Sequence, residues 1–583
     1  MGTPEHCFVA PHPDLADRLK EDLDRLRSEA PETLAGYVGP VRKPRAIGLD
    51  DGTIIPPDEY PLGTPETVIR NAAMERAPLR GTVRVIVVLV DFSDKQLTAT
   101  AQHFHDLFFS TGVLPNGSVK EYYREVTNGL VDIDGDVVGT YRMPQPLTWY
   151  ANGNFGIGRP TGTTRARDLA RDAAVAADPA VDFGPYDNDG NGFVDAFVIV
   201  HAGRGGEETG SPGDIWSHKW VLPAAYQADT TKIYGYLTIP EDAKLGVCAH
   251  ELGHLLFGFP DLYDVDDTSE GIGNWCLMAG GSWNGGGDVP AHPSAWCKAN
   301  QGWVSVTGVT TNQAVSIPDV KTSHNVLRLW KDGAAGSEYF LVENRQKTGY
   351  DARLPGEGLL IWHIDDAQPG NTDENHYKVG LVQADGRRDL ELKHNRGDAG
   401  DPYPGSSGTT SFSHTTTPNS DSYAGVETCV SVTGISASAA TMTASVTVRC
   451  GKSLLKDLKD RPKDRKDLPK DLKEPWKDRK DVRKEFKEPI KDRKDHLKEL
   501  KEQEWPPIGR APGEQGDLEA AVADLAARVA ALEGQAAEPF IGAELRPDLI
   551  GGPDYGRETT SAAERMEAGD AAAKREYDSP PRS

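Results

Sequence analysis

In the first half of the chain, segments with the apolar pattern of a strand alternate with segments that have the apolar pattern of a helix. The stretch GTVRVIVVLVDF (81–92) is short and rich in β-branched residues, which is typical of a buried strand. SVKEYYREVTNG (118–129) predicts a helix with a serine N-cap and a glycine stop. A second apolar strand, FVDAFVIVHAG (193–203), precedes a helical segment, VCAHELGHLLFGF (247–259). Strands and helices are therefore mixed, which predicts an α/β or α+β domain.

From about residue 311 the apolar positions follow a two-residue period. Gly, Pro and Asp turns separate the short alternating stretches NVLRLWKD, EYFLVENRQ, GEGLLIWHID and MTASVTVRC. This pattern predicts a β-rich domain packed after the mixed one.

The C-terminal part combines a charged repeat with a short heptad pattern. Lysine recurs at steps of three and four from Lys456 to Lys501, but four prolines in this stretch oppose a continuous helix. We interpret it as a solvated spacer; a tethering or adhesive role is the alternative. Further on, residues 518–532 could self-associate as a short coiled coil or dock on their own chain. The apolar heptad positions are Leu518, Val522, Leu525, Val529 and Leu532.

These patterns predict five segments. Residues 1–78 form an N-terminal appendage that could be a pro-segment, and 79–310 form the mixed α/β domain. Residues 311–450 form the β-rich domain, 451–510 the Lys/Asp/Glu-rich low-complexity spacer, and 511–583 a short heptad helix with a polar tail.

The charge of the chain is strongly acidic outside the repeat. Its formal net charge is −25, and residues 452–503 alone carry +6, so −31 remains for the other residues. This balance argues against nucleic-acid binding by the globular part and favours cation binding at carboxylate clusters.

Neither a membrane span nor an export signal is visible in the sequence. No apolar run approaches the roughly 20 residues that a membrane-spanning helix needs. The N-terminal MGTPEHCFVAPHPDLADRLK lacks the apolar core of a signal peptide. The sequence itself therefore leaves the localisation of the protein open.

The six cysteines are widely spread and have no CxxC spacing, which argues against a structural zinc cluster. Cys429 and Cys450 flank a short β-like stretch and could form a disulfide or remain free thiols. Cys7 could reach a metal in the main domain as a thiolate, or be a simple disulfide partner or free thiol.

The segment VCAHELGHLLFGFPDLYD (247–264) places three titratable groups in an apolar helix. His250 and His254 lie four residues apart on one helical face, so both can bind one ion. Glu251 can take a proton from a zinc-bound water, whose pKa the metal lowers towards about 7. Burying these groups without partners would cost on the order of several kcal/mol, so we predict zinc rather than a chance arrangement.

A catalytic zinc needs a third protein ligand and an open fourth position. The helix should end near Gly258 and before Pro260, so that the chain turns back and presents Asp261, Asp264 or Glu270. We take Glu270 as the preferred ligand and Asp261 as the alternative.

The motifs around this helix resemble those of a known family. HELGHLLFGFPDLYD, followed by EGIGNWCLMAGGSW, is similar to the immune inhibitor A family of secreted bacterial metallopeptidases. That family joins HExxH to a downstream glycine, a Pro-Asp-x-Tyr-Asp element and a methionine turn. The likeness extends over roughly residues 80–450 and includes DNDGNGFVDAF, HAGRGGEETGSPGDIWSHKW and ENRQKTGYDARLPGEGLLIWHID in order.

The resemblance implies a zinc endopeptidase that is often calcium-bound, secreted and made with an N-terminal pro-segment. Met278 would lie under the metal as an apolar floor. Glu270 lies eight residues before Met278, as a glutamate does in similar sequences. Gly258 lies four residues after His254, where the family more usually has three. Both features favour Glu270 over Asp261.

The loop DNDGNGFVD (187–195) offers oxygen ligands at alternate positions. The candidate ligands are Asp187, Asp189, Asn191 and Asp195, and Gly192 stands where a tight loop needs positive φ. The twelfth position, a glutamate in an EF-hand, is Val198. We therefore predict a β-linked calcium loop; a solvated Asx-rich turn is the alternative.

These residues predict a zinc-dependent endopeptidase acting on proteins or peptides, with Glu251 as general base. His218, His201 and Tyr263 are candidate oxyanion donors, each otherwise a packing residue. The alternatives are a catalytically silent zinc-containing binding or adhesion protein and a zinc hydrolase of a non-peptide substrate. The presence of Glu251 favours the endopeptidase, because a structural metal does not require a base.

Overall fold

A computed structural model describes residues 7–18, 55–56, 59, 78–158 and 164–450. They belong to one of the two compact units of the chain, Met1–Arg461. The predicted spacer and the 518–532 heptads lie outside the described residues, so the proposed spacer role and self-association stay predictions.

A six-stranded sheet forms the centre of the first part. Its spatial order is β1-β5-β6-β4-β2-β3, with parallel pairing among β3, β2, β4 and β6 and antiparallel pairing of β6 with β5 and of β5 with β1. The strands are β1 Cys7–Phe8, β2 Gly81–Asp91, β3 Val131–Arg142, β4 Phe197–His201, β5 His218–Ala228 and β6 Thr231–Pro240.

Helices alternate with these strands and continue after them. The described helices are α1 Ala101–Phe109, α2 Val119–Val126, α3 Leu147–Ala151, α4 Ala166–Ala177, α5 Gly206–Thr209, α6 Leu245–Phe257, α7 Ala295–Asn300 and α8 Val320–Ser323. Helix α2 begins at the predicted serine: the Ser118 side chain accepts from the backbone of Glu121, and the Glu121 side chain accepts in return.

Two smaller sheets follow. The five-stranded sheet has the order β12-β11-β10-β9-β7, and the four-stranded sheet has the order β13-β14-β15-β8. Their strands are β7 Ser305–Gly308, β8 Gln313–Pro318, β9 Asn325–Leu329, β10 Glu338–Arg345, β11 Gly358–Asp365, β12 Val379–Leu381, β13 Ser411–Phe412, β14 Ser431–Thr433 and β15 Thr441–Thr447.

The five-stranded sheet contributes its two faces to two hydrophobic cores. Leu341 and Leu360 belong to the large core around the six-stranded sheet, whereas their neighbours Phe340 and Ile361 belong to a second core with the four-stranded sheet. The alternation follows from the two-residue period of a strand. The described part is thus a mixed α/β fold; that residues 311–450 form a separate domain stays a prediction.

Several predicted elements are confirmed with shifted ends. The stretch 81–92 forms β2, and the stretches beginning at 325, 338 and 356 form β9, β10 and β11. The predicted strand 193–203 is shorter, Phe197–His201, because its first residues close the acidic loop before it. Among the described residues, no helix combines the length and apolar character that crossing a membrane requires.

Among the cysteines whose side chains the structure describes, two form a disulfide and three are free thiols. Cys429 and Cys450 form a disulfide that ties the chain before β14 to the chain after β15. Cys248, Cys276 and Cys297 are buried free thiols. The side chain of Cys7 lies outside the described atoms, so its predicted approach to a metal stays a prediction.

Candidate active site

Helix α6 carries the two histidines and the glutamate through the centre of the large core. Every residue from Leu245 to Phe257 is buried, because the helix packs between the six-stranded sheet and the segments that follow it. The helix ends where the sequence predicts: Gly258 has φ of 65°, and its backbone N–H donates to the His254 carbonyl at 2.9 Å.

Three buried side chains converge beside this helix. The Nε2 atoms of His250 and His254 are 3.0 Å apart, and Oδ1 of Asp261 lies 3.2 Å from each of them. The two histidines are fully buried, and Asp261 is 5% exposed. Burial alone would raise the pKa of Asp261, but the neighbouring His254 and His250 outweigh it, so this pKa is lowered.

These three groups fit a zinc ion. Two zinc bonds of about 2.0–2.1 Å at a tetrahedral angle separate their ligand atoms by about 3.3 Å, close to the spacing found here. The Nδ1 atom of His250 contacts the Leu277 carbonyl at 2.9 Å, and Nδ1 of His254 contacts the Phe259 carbonyl. Such contacts fix the rings so that Nε2 faces a metal.

Glu270, the preferred third ligand, does not join this cluster. Its carboxylate lies 3.3 Å from Nε of Arg396, and its backbone N–H donates to the Leu390 carbonyl. Glu270 therefore pairs with the loop before β13, and the alternative ligand, Asp261, takes the position beside the histidines. The extra residue between His254 and Gly258 does not displace Asp261, contrary to the expectation from the family spacing.

Asp264, the third acidic candidate, organises the turn that follows. Its Oδ2 accepts from the Ser269 backbone N–H at 2.8 Å and from the Ser269 and Thr268 hydroxyls, each at 2.9 Å. These bonds hold residues 264–269 in a compact turn.

Met278 lies under the helix that carries the histidines. It is fully buried, and a Cβ added at Gly253 would lie 2.8 Å from the Met278 sulfur. Its carbonyl accepts from the Leu262 backbone N–H at 2.7 Å, next to Asp261. The methionine segment thus supports both the helix and the loop that carries Asp261.

The candidate oxyanion donors lie in different surroundings. His218 contacts the Trp216 carbonyl through Nδ1 and the Tyr236 hydroxyl through Nε2, which holds it within the sheet. His201 is buried at the end of β4, where Nδ1 contacts the Ala202 carbonyl. Tyr263 is half-buried and lines a small cavity with residues 10–16 and the turn at Asp264.

The predicted calcium loop brings its acidic groups together. Side-chain oxygens of Asp187, Asp189 and Asp195 all lie within 4.8 Å of one another. Asn191 folds into the same loop, where its side-chain N–H donates to Asp189 at 2.9 Å. Gly192 has φ of 89°, and its backbone N–H donates to Asp187 at 2.9 Å. Asp189 is exposed and Asp195 is buried, so the loop spans from the surface to the base of β4.

The RGD tripeptide at residues 396–398 belongs to a structured loop. Arg396 pairs with Asp17 at 2.9 Å as well as with Glu270, and Gly397 packs against Trp275. These contacts give the tripeptide a role within the fold.

A mixed sheet, an HExxH helix and a buried aspartate beside its histidines are typical of metallopeptidase catalytic domains. Residues 75–307 match the model of the immune inhibitor A peptidase M6 catalytic domain. Across this region the chain is similar to the immune inhibitor A peptidase M6 family.

Two named proteins are similar in sequence to this chain. The pre-pro-metalloprotease PrtV of Vibrio cholerae serotype O1 is 30% identical over 304 residues, 41% of this chain and 32% of PrtV. Immune inhibitor A of Bacillus thuringiensis subsp. alesti is 37% identical over 201 residues, 28% of each protein. The chain thus spans about a third of the length of these curated relatives.

Proposed function

We propose that this chain is a zinc-dependent endopeptidase that hydrolyses peptide bonds in proteins. The observation that carries the proposal is the buried cluster of two imidazoles and one carboxylate within 3.2 Å of one another. His250, His254 and Asp261 would hold the zinc, which leaves room for water at the fourth position. A zinc ion bound there supplies Lewis-acid polarisation and lowers the pKa of water.

Glu251 acts as the proton carrier in this proposal. It follows His250 directly on α6 and is fully buried within the core. It takes the proton from the attacking water and gives it to the leaving amine, so one carboxylate acts as base and then as acid. Its rigid helix holds it near the ligand pair throughout the reaction.

The activity test uses denatured casein and one conservative variant. We expect the parent to cleave casein, a chelator to stop cleavage, and Glu251→Gln to lose cleavage while it keeps zinc. Gln keeps the size of the side chain but cannot accept the proton. A Glu251→Gln protein that cleaves casein as fast as the parent would end the proposal, provided zinc content is equal in both.

We also propose that the N-terminal segment covers the substrate cleft and keeps the enzyme latent. Residues 7–8 pair antiparallel with β5, which is the way an extended peptide adds to a sheet edge. The indole N–H groups of Trp216 and Trp283 donate to the carbonyls of Val9 and Ala10 at 2.9 and 2.8 Å. We infer that a substrate strand would add to the same edge of β5, so that residues 7–10 occupy its place.

Latency can be tested by cleaving the chain between the N-terminal segment and β2. A recognition sequence for a highly specific protease, inserted between residues 60 and 77, allows the N-terminal segment to be released after folding. We expect casein cleavage to rise after release, and to stay low when the cut segment remains bound. An unchanged rate after complete release, verified by gel filtration, would contradict latency but leave the peptidase assignment intact.

Calcium at Asp187, Asp189, Asn191 and Asp195 completes the proposal. Several carboxylate and amide oxygens in one flexible loop suit calcium, which takes six to eight oxygen ligands. The loop leads directly into β4, so calcium would stabilise the start of a central strand.

A further inference from the structure

A cavity of about 430 Å³ lies beside β12. Its walls come from β11 and β12, the segment 374–377, the turn 383–391 and the loop 417–423. This volume is within the roughly 300–1,000 Å³ that is typical of sites for small ligands. Neither the proposed zinc chemistry nor the proposed latency uses this cavity.

A stack of three rings makes one wall of the cavity rigid. The Tyr423 ring lies between the rings of His363 and His376, with centroids 3.9 and 4.1 Å away. Nε2 of His363 contacts Glu338 at 3.0 Å, and Nε2 of His376 contacts Asp365 at 2.8 Å. Two carboxylates therefore hold the outer rings, and these rings fix the position of the tyrosine.

The Tyr423 hydroxyl is a polar group that the cavity leaves available. A Cβ added at Gly380, which also lines the cavity, would lie 3.1 Å from the hydroxyl oxygen. The hydroxyl therefore reaches the part of the cavity beside β12. No described residue hydrogen-bonds to it. A ligand with an N–H donor would supply a partner for this oxygen.

Glu391 is a half-buried carboxylate in the same lining. It accepts from Nε2 of Gln383 at 2.7 Å. Gln383 is only 3% exposed, and its Oε1 accepts from the Leu390 backbone N–H at 3.3 Å, so both ends of the amide are held. Burial raises the pKa of Glu391, because the charged form loses contact with water. A cation bound in the cavity would stabilise that charged form.

Carboxylates outnumber cationic groups in the lining. Glu374, Glu391 and Asp421 contribute −3 and Arg388 contributes +1, so the formal charge with neutral histidines is −2. The Arg388 guanidinium donates to the backbone carbonyl of Glu374 at 2.8 Å. Asp421 also contacts Nδ1 of His414, an exposed residue, at 2.6 Å. The remaining negative charge favours a cationic ligand over a neutral or anionic one.

We propose that this cavity binds the cationic side chain of a lysine or an arginine in a polypeptide substrate, with Glu391 and the Tyr423 hydroxyl as acceptors. Lysine and arginine side chains carry three and five N–H donors and no acceptor, which matches carboxylate, hydroxyl and amide oxygens. The role in substrate binding rests on the proposed peptidase function, whereas the binding of the side chain does not.

The cavity shares a wall with the turn that follows Asp261. The Tyr377 hydroxyl donates to the Ser269 hydroxyl oxygen at 2.7 Å, and the Thr268 hydroxyl contacts the Glu374 carboxylate. A polypeptide held in the cavity would therefore lie beside the loop that carries Asp261. Binding energy from a side chain remote from the reacting bond can hold a substrate at the reaction centre.

Binding of short peptides tests the site without proteolysis. The full chain carrying Glu251→Gln, saturated with zinc, is titrated by NMR with acetyl-Gly-Arg-Gly-amide, its lysine counterpart and its citrulline counterpart. Citrulline has nearly the shape of arginine but no charge. We expect a charged peptide to bind at least about tenfold more tightly than the citrulline peptide, and the tighter charged peptide identifies the side chain. Equal affinities for all three peptides, or no binding of either charged peptide at millimolar concentration, would overturn the proposal.

Two variants of similar size locate the binding. Glu391→Gln removes the charge, so the affinity for the charged peptide should fall by roughly tenfold or more. Tyr423→Phe keeps the stacked ring and removes only the hydroxyl, so the affinity should fall by about two- to tenfold. Glu357→Gln changes an exposed carboxylate outside the cavity and should keep parental affinity. Unchanged affinity in Glu391→Gln would overturn the proposal; where that variant does not fold, unchanged affinity in Tyr423→Phe would overturn it.

Competition during casein cleavage tests the role in substrate binding. A saturating amount of the charged peptide should raise the KM for casein in the parent with little change in kcat, and should have no such effect in Glu391→Gln. The citrulline peptide is the control. An equal rise in KM in both proteins would contradict substrate binding at this cavity. A parent that does not cleave casein would refute the peptidase proposal, and the peptide titrations would still decide whether the cavity binds a cationic side chain.

Discussion

The His250, His254 and Asp261 cluster and the Asp187–Asp195 loop bring their candidate metal ligands together in opposite ways. His250, His254 and Asp261 are buried, and they come from a rigid helix and the turn beyond it. The acidic loop takes all its ligands from nine consecutive residues, and Asp189 is exposed to solvent. The tertiary fold positions the side chains of the histidine cluster, whereas the local backbone of the acidic loop positions its own side chains.

This difference separates the expected consequences of losing each metal. Without the proposed zinc, His250, His254 and Asp261 are polar or charged groups in an apolar core, so we expect both catalysis and packing to depend on the ion. Of the four proposed ligands in the Asp187–Asp195 loop only Asp195 is buried, and the other three reach solvent, so loss of the proposed calcium should cost stability alone. The following predictions test that contrast.

The largest effect is expected for His254→Ala. Zinc supplies several kcal/mol to hydrolysis, and about 1.4 kcal/mol corresponds to a factor of ten, so casein cleavage should fall by roughly a thousandfold or more. Zinc content, measured by mass spectrometry of metals, should fall in parallel. His105→Ala, an exposed residue on α1, is the control and should keep both. A zinc-free His254→Ala protein with parental activity would contradict the claim that activity depends on the buried site.

A buried carboxylate outside both proposed metal sites sharpens the comparison. Glu207 is 1% exposed and accepts from the Ser217 backbone N–H and hydroxyl, and burial raises its pKa to about 7 from 4.5. The folded protein therefore retains a proton that the unfolded chain has lost, and this stabilisation disappears as pH rises from about 4.5 through 7.

Glu207→Gln removes that titration. The parent should lose stability relative to the variant as pH rises across this window, by on the order of 3 kcal/mol at most. Thermal unfolding of both proteins at pH 5 and pH 8, with zinc and calcium constant, measures the difference. Identical pH dependence in parent and variant would contradict the role of burial at Glu207.

The smallest effect is expected at the exposed loop. Calcium at about ten times its Kd should stabilise the parent by about 1.4 kcal/mol, a rise of a few degrees in Tm, and Asp189→Asn should reduce that rise. Zinc content and casein cleavage at low temperature should stay parental. Asp182→Asn, exposed but outside the loop, is the control. A loss of zinc in Asp189→Asn would show that the two sites are coupled.

The predictable features are those encoded by neighbouring residues. Helix α6 and its end follow from apolar periodicity and Gly258, and the proximity of the aspartates in the 187–195 loop follows from alternate oxygens around Gly192. Calcium binding by this loop stays a prediction. The two histidines meet because four residues make one helical turn.

Features that depend on distant segments could not be predicted in the same way. The choice between Asp261 and Glu270 depends on Arg396, more than a hundred residues away, which pairs with Glu270. The cavity beside β12 likewise needs the fold, because its lining residues are spread from His363 to Tyr423 along the chain.

The ligand assignment at the zinc helix is tested most directly by the zinc content of two alanine variants. Asp261→Ala and Glu270→Ala each remove one acidic candidate, and each is purified with the same zinc supply as the parent. If Asp261 completes the site, Asp261→Ala loses zinc and Glu270→Ala keeps one ion per chain. Full zinc in Asp261→Ala, together with its loss in Glu270→Ala, would contradict the account.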